Sequence, residues 1–342
     1  MDRLTVASVA SGAGKTSVIV GLAKAAKEKV GYMKPFGNRL LYRKKRLWDY
    51  DASLMYNLLE MGDDPESVTL AFDHSKVRYM YDCESIRSSI VSMAKNQIAK
   101  KLLIEGGSTL EYGTSVHMDS LSIASYLNSP LLLVLPGDED WALDAACYFK
   151  KRIDTKGVTL AGVVINKAAE PENFTETHKG AFDEMGVNLL GVLPRIPILE
   201  KITIDYLADV LFAKVLTGEP GLSNRVESVF VGAMSAERAM KDPNWGKPGK
   251  LIITGGDRSD LISAALDSHV SAIVATNNIE PSPAVLSKAH DQNIPVLLVA
   301  LDTLKAALQI SQIEPQISKD DHEKIDAIAK AVRENIAIDE LI

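Results

Sequence analysis

Short apolar runs alternate along the chain with stretches whose apolar residues recur every three to four positions, the rhythm of strands and helices in βαβ units. Strands are expected at 4–8, 30–33, 101–105, 130–135, 159–166 and 188–193, with helices at 16–27, 85–100, 119–127, 140–152 and 172–185. Runs such as Leu131-Leu132-Leu133-Val134-Leu135 are apolar on both faces, so they belong inside a mostly parallel sheet covered by helices. A further helix is expected at 204–217, stopped by Gly218. The run Gly218-Glu219-Pro220-Gly221-Leu222-Ser223-Asn224 then reads as a linker. Past it comes a second, smaller α/β rhythm, with strands at 228–231, 251–254, 272–276 and 295–299 and helices at 260–266, 283–292 and 304–310. A polar helix at 318–335 closes the chain. The expectation is an α/β protein of two domains, 1–217 and 218–342.

Composition narrows the class. A length of 342 residues suits two domains. The net charge of −7, without a basic stretch of domain size, excludes duplex nucleic acid as the main partner. Two cysteines, Cys83 and Cys147, cannot make a disulfide framework and suit a reducing, cytoplasmic setting. No run approaches the ~18 apolar residues of a membrane span, and the apolar start is too short for a signal peptide. The six histidines show no metal-ligand spacing, so structural zinc is not expected.

Ser11-Gly12-Ala13-Gly14-Lys15-Thr16-Ser17 sits between a strand and a helix, the placement a phosphate-binding loop requires. Successive backbone N–H groups there form an anion nest, Lys15 reaches the outer phosphates and Thr16 holds Mg²⁺. Val9 stands where the longer form of this motif has its first glycine. Around the loop, Gly31-Tyr32-Met33-Lys34-Pro35 ends the second strand and Asp49-Tyr50-Asp51-Ala52 opens a helix. Ile104-Glu105-Gly106-Gly107 ends another strand, followed by Ala161-Gly162-Val163-Val164-Ile165-Asn166 and Leu190-Gly191-Val192-Leu193-Pro194.

In this order, the series resembles dethiobiotin synthetase and its relatives, including the amino-terminal portion of some phosphate acetyltransferases, over about residues 2 to 200. The resemblance implies ATP and Mg²⁺ as cofactors. It places Lys15 and Thr16 on the triphosphate and metal, Asp51 and Glu105 at positions of metal-associated carboxylates, Lys34 facing phosphates and substrate, and Asn166 on the purine edge. Phe36-Gly37-Asn38-Arg39 replaces the substrate-holding residues of the synthetase, so no substrate is inherited. Cobyrinate-type amide synthetases add a glutaminase, but neither cysteine here lies in a Gly-flanked turn. The tract Gly255-Gly256-Asp257-Arg258-Ser259-Asp260, with Pro281-Ser282-Pro283-Ala284 and 294–299, resembles the DRTGG domain, which implies regulation or dimer contacts more readily than catalysis.

Each motif also has a plainer reading. Lys34-Pro35 is equally a turn, and Asp51 equally a cap for the helix it opens. A buried carboxylate at Glu105 is costly unless paired or metal-bound. Five basic side chains among 39–46 suit an anionic metabolite if they fold over the pocket, and a solvated loop otherwise. His117 reads as a surface residue. Two functions fit: an ATP-binding regulatory protein, expected as a homodimer, or an ATP-dependent ligase activating a carboxylate or carbamate.

Overall fold

The first apolar run forms β1 (Asp2–Ala7), and the glycine-rich turn after it leads into α1 (Lys15–Ala25). In the computed structural model, which describes residues 2–43, 46–62, 65–155 and 157–341, this pair sits at the middle of a six-stranded parallel sheet. The chain continues through β2 (Val30–Met33), a hairpin of β3 (Leu40–Arg43) and β4 (Arg46–Asp49), α2 (Tyr50–Leu58), α3 (His74–Met80) and α4 (Cys83–Lys95). Then follow β5 (Lys101–Glu105), α5 (Ser120–Leu127), β6 (Leu131–Pro136), α6 (Glu139–Arg152), β7 (Leu160–Ala168), α7 (Pro171–Glu184) and β8 (Leu189–Pro194). The basic stretch expected as a loop is thus largely hairpin, with Lys44 and Lys45 outside the described residues. Helix α4 starts two residues before its expected position because Asp82 and Ser85 form a reciprocal capping box.

Strand order is β2-β5-β1-β6-β7-β8. Leu133, Leu135, Val163 and Ile165 pack with Phe149, Phe174 and Phe182 on one face. The alternating Leu132, Val134 and Val164 are fully buried on the other, which explains the uninterrupted apolar runs. This arrangement brings one set of strand ends to a common edge. In register, Val6 lies beside Glu105, Met33 beside Ile104, and Pro136 beside Asn166. The C-terminal edge of a parallel sheet is where ligands bind in α/β folds.

The second unit contains β9 (Ile202–Thr203), α8 (Ile204–Leu211), β10 (Lys214–Thr217), β11 (Arg225–Val226), β12 (Ser228–Val231), α9 (Ala236–Met240) and β13 (Lys250–Gly255). It is completed by α10 (Ser259–Leu266), β14 (Val270–Thr276), α11 (Pro283–Asp291), β15 (Val296–Leu298) and α12 (Thr303–Ser311). Its sheet runs β10-β15-β14-β13-β12, with β10 antiparallel. The single helix expected at 204–217 is therefore two elements: Phe212 turns left-handed (φ 50) and ends α8, and the chain then pairs with β15. The expected linker is also folded. Residues 219–223 form a 3₁₀ turn, and Gly218, at φ 78, leaves no room for a Cβ against the Ile294 carbonyl.

Finally, α13 (His322–Asn335), capped by Asp321, returns to the first unit. It packs on α1 where Gly21 leaves space for Val332, and the Ala337 amide then bonds the Leu190 carbonyl at 3.0 Å. The compact units are Met1–Ile196 with Ile317–Ile342, and Pro197–Gln316, so the boundary expected at 218 falls inside the second unit.

Candidate functional site

Between β1 and α1 the backbone reverses twice into the left-handed region, at Gly12 (φ 72) and Gly14 (φ 90), the alternation that makes an amide nest at a helix start. Lys15 is 7% exposed, and its ammonium donates to the Ser108 carbonyl at 2.8 Å. Burial lowers it to about 8, against the opposing pull of Glu105. Thr16, on the first turn of α1, donates its hydroxyl to Glu105 Oε1 at 2.8 Å.

Glu105 ends β5 beside β1, and its other oxygen accepts from the Tyr32 hydroxyl at 2.8 Å. Burial pushes the Glu105 carboxyl up, with the neighbouring Asp51 charge adding to it, although Lys34 and Lys15 pull the other way. Tyr32 is held well above its ordinary value by burial and by Glu105.

Lys34 follows β2 directly and is 1% exposed. Its ammonium lies 2.6 Å from Asp51, 3.1 Å from Asp49 and 3.9 Å from Glu105. Burial alone would depress it, but the three carboxylates outweigh burial and raise it. Lys34 is therefore a fixed ammonium, unsuited to act as a nucleophile or base. Asp51 feels burial upward and the Lys34 and Arg39 cations downward; the cations win, leaving it below the usual carboxylate range.

Asp51, expected at a metal-associated position or as a helix cap, does not cap α2. Its oxygens face Lys34 and, at 3.5 Å, Arg39. Asp49 is the cap of α2, accepting from the Ala52 amide, and its second oxygen accepts from the Asn38 and Arg39 amides. Asp49 thereby fastens the 38–39 loop, the helix and Lys34 together, a role that the sequence did not reveal. Tyr32 was likewise missed. A usable signal was its position two residues before Lys34, which directly follows the strand, since side chains two apart on extended backbone share a face.

Asn166, expected on a purine edge, donates its amide to the Ala13 carbonyl at 2.8 Å. Ser11 lies exposed on the loop and Ser17 half-buried in α1. His117 is exposed, as expected. Among the described residues no group of three or more His, Cys, Asp or Glu side chains is arranged to hold a metal ion. Nor, among the described residues, is any helix long and apolar enough to cross a membrane. In the second unit, Gly256 lies so close to the Ile279 carbonyl that a Cβ would not fit, and Pro283 opens α11. Asp260 does not cap α10; it pairs with Arg258 at 3.2 Å.

Residues 206–313 match the DRTGG domain, and residues 2–203 match an AAA domain family (AAA_26). The chain is similar to the phosphate acetyltransferase of Synechocystis sp., 27% identical over 240 residues, covering 66% of this chain and 34% of that protein. It is similar to the phosphate acetyltransferase of Nitratidesulfovibrio vulgaris at 24% over 372 residues, covering 99% and 51%. The chain thus spans about half the length of these curated relatives, or less. Among solved structures, the ParA family ATPase from Chlorobium tepidum is similar at 14% identity and TM-score 0.39, covering 58% of this chain and 86% of that one. The expected pairing of a P-loop domain with a DRTGG domain is borne out, and the chain belongs to the AAA domain family, with a DRTGG domain after it.

Proposed function

We propose that the first unit binds Mg-ATP and that the chain is a cytoplasmic, homodimeric regulatory or sensor protein, related to the non-catalytic part of phosphate acetyltransferases. One observation carries the nucleotide reading: the Thr16 hydroxyl and the Glu105 carboxylate meet at 2.8 Å at the head of α1, beside an amide nest and a buried lysine. This oxygen-only donor pair fits Mg²⁺, which takes few protein ligands and completes its shell with phosphates and water. When bound, the ion would neutralise phosphate charge. The backbone of Ser11, Gly12, Ala13, Gly14 and Ser17 would hold the phosphates with Lys15, and Asn166 would face the purine.

A second reading, a ligase that activates a carboxylate or carbamate, is favoured by Lys34. Its permanently charged ammonium would stabilise charge building on a transferred phosphoryl group. Trp48 Nε1 and Thr69 Oγ1, both able to donate, are buried on the segments flanking Lys34, without a hydrogen-bond partner among the described residues. Such groups call for a bound polar molecule, which supports a subsite for a small anionic metabolite. ADP release across a metabolite panel, with sedimentation in ATP and ADP, separates the readings. The sensor reading expects slow turnover and nucleotide-dependent assembly, and fast substrate-dependent ADP release would replace it with the ligase.

The lowered Lys15 sets a pH dependence. A triphosphate attracts the charged form, which is lost from the ligand-free protein as pH rises through about 8. Mg-ATP affinity should therefore fall above pH 8 by up to about tenfold per unit. Titrations at pH 7, 8 and 9 check this, and a flat profile would separate Lys15 from the phosphates.

A further inference from the structure

On a regular strand, consecutive side chains leave on opposite faces. The end of β7 departs from this. Its register against β8 shifts between Ile165 and Ala168, and Lys167 adopts a left-handed backbone (φ 67) although it carries a Cβ. Such conformations are unfavourable for ordinary residues and concentrate where surroundings enforce them. Here the departure lets two neighbouring side chains reach one target. The Asn166 amide donates to the Ala13 carbonyl at 2.8 Å, and the Lys167 ammonium donates to the Gly12 carbonyl at 2.9 Å.

A trans peptide is planar, so its C=O and N–H point in opposite directions. Holding the Gly12 carbonyl outward therefore aims the Ala13 N–H inward, and holding the Ala13 carbonyl outward does the same for the Gly14 N–H. Gly14 has no space for a Cβ, which would overlap the Asn166 amide nitrogen. The clasp and the glycine thus fit each other.

We propose that Lys167 is a positioning residue for the phosphate loop: by drawing the Gly12 carbonyl outward it fixes the amide nest for a triphosphate before ligand arrives. This rests on the nucleotide-binding reading above. Lys167 itself touches the loop's outer side and works through the backbone it holds.

The test titrates Mg-ATP and inorganic triphosphate calorimetrically against the full wild-type chain, Lys167→Met and Lys167→Arg. Lys167→Met should weaken both ligands about tenfold, the scale of one charge-assisted hydrogen bond, and Lys167→Arg should recover most of the loss. In the ligand-free Lys167→Met protein, amides 12–16 should exchange faster while those of β1 and β5 keep their protection, which a general loss of stability would not give. Weaker ATP with unchanged triphosphate would assign Lys167 to the base and overturn the proposal. Unchanged affinity for both would overturn it too. Wild-type protein that binds neither ligand would remove the nucleotide reading itself, and the proposal with it.

Discussion

Lys34→Met is expected to destabilise the first unit by about 3–5 kcal/mol, because it leaves a buried group of carboxylates without their cation. The ammonium is 2.6 Å from Asp51 and 3.1 Å from Asp49, and all three side chains are at most 2% exposed. Water cannot replace it at that depth. Asp49 also caps α2 and holds the Asn38 and Arg39 amides, so its repulsion from Asp51 would reach the hairpin and helix together. Hydrogen-exchange protection of β1 and β5 amides reads the stability of this unit separately from the second. The double variant Lys34→Met/Asp51→Asn should recover a substantial part of the loss, since it removes one of the uncompensated charges. A single-variant change below about 1 kcal/mol would show that the cluster reorganises freely.

The same cluster shows how far the sequence could be read. Lys15, Thr16 and Glu105 were legible because a strand-loop-helix pattern and a carboxylate at a strand end state their own chemistry. Asp49 was not. Two aspartates stand one residue apart, and only the extended backbone of Asp49 (φ −84, ψ 136) decides which of them caps α2 and which is left for Lys34. Propensity treats both alike. The element pattern was likewise sound where apolar runs were long and weak where one residue decided. Phe212 splits an otherwise helical stretch by turning left-handed, a conformation that its side chain does not advertise. The destination of α13 was also hidden. Its buried stripe of Ile325, Ile328, Ala329 and Val332 announces a partner without naming one, and the partner is α1, across more than a hundred intervening residues of the second unit. The reach of Lys167 to Gly12 was hidden too, because it depends on a register shift that no spacing rule contains.

Lys15→Ala is expected to weaken Mg-ATP binding by about 100-fold or more while leaving the fold intact. The loss reflects a charge-assisted contact to phosphate inside a water-poor nest. The fold should survive because the Lys15 side chain makes one hydrogen bond among the described residues, to the Ser108 carbonyl, and carries a burial penalty that alanine removes. Thermal melts of the two proteins should accordingly agree within a few degrees, so that a loss of binding is not a loss of structure. The most direct measurement is an isothermal titration of Mg-ATP into wild-type chain and Lys15→Ala side by side. Saturable one-site binding to the wild type, with the variant showing little or no heat, is the predicted result; equal affinity in both proteins would contradict the account.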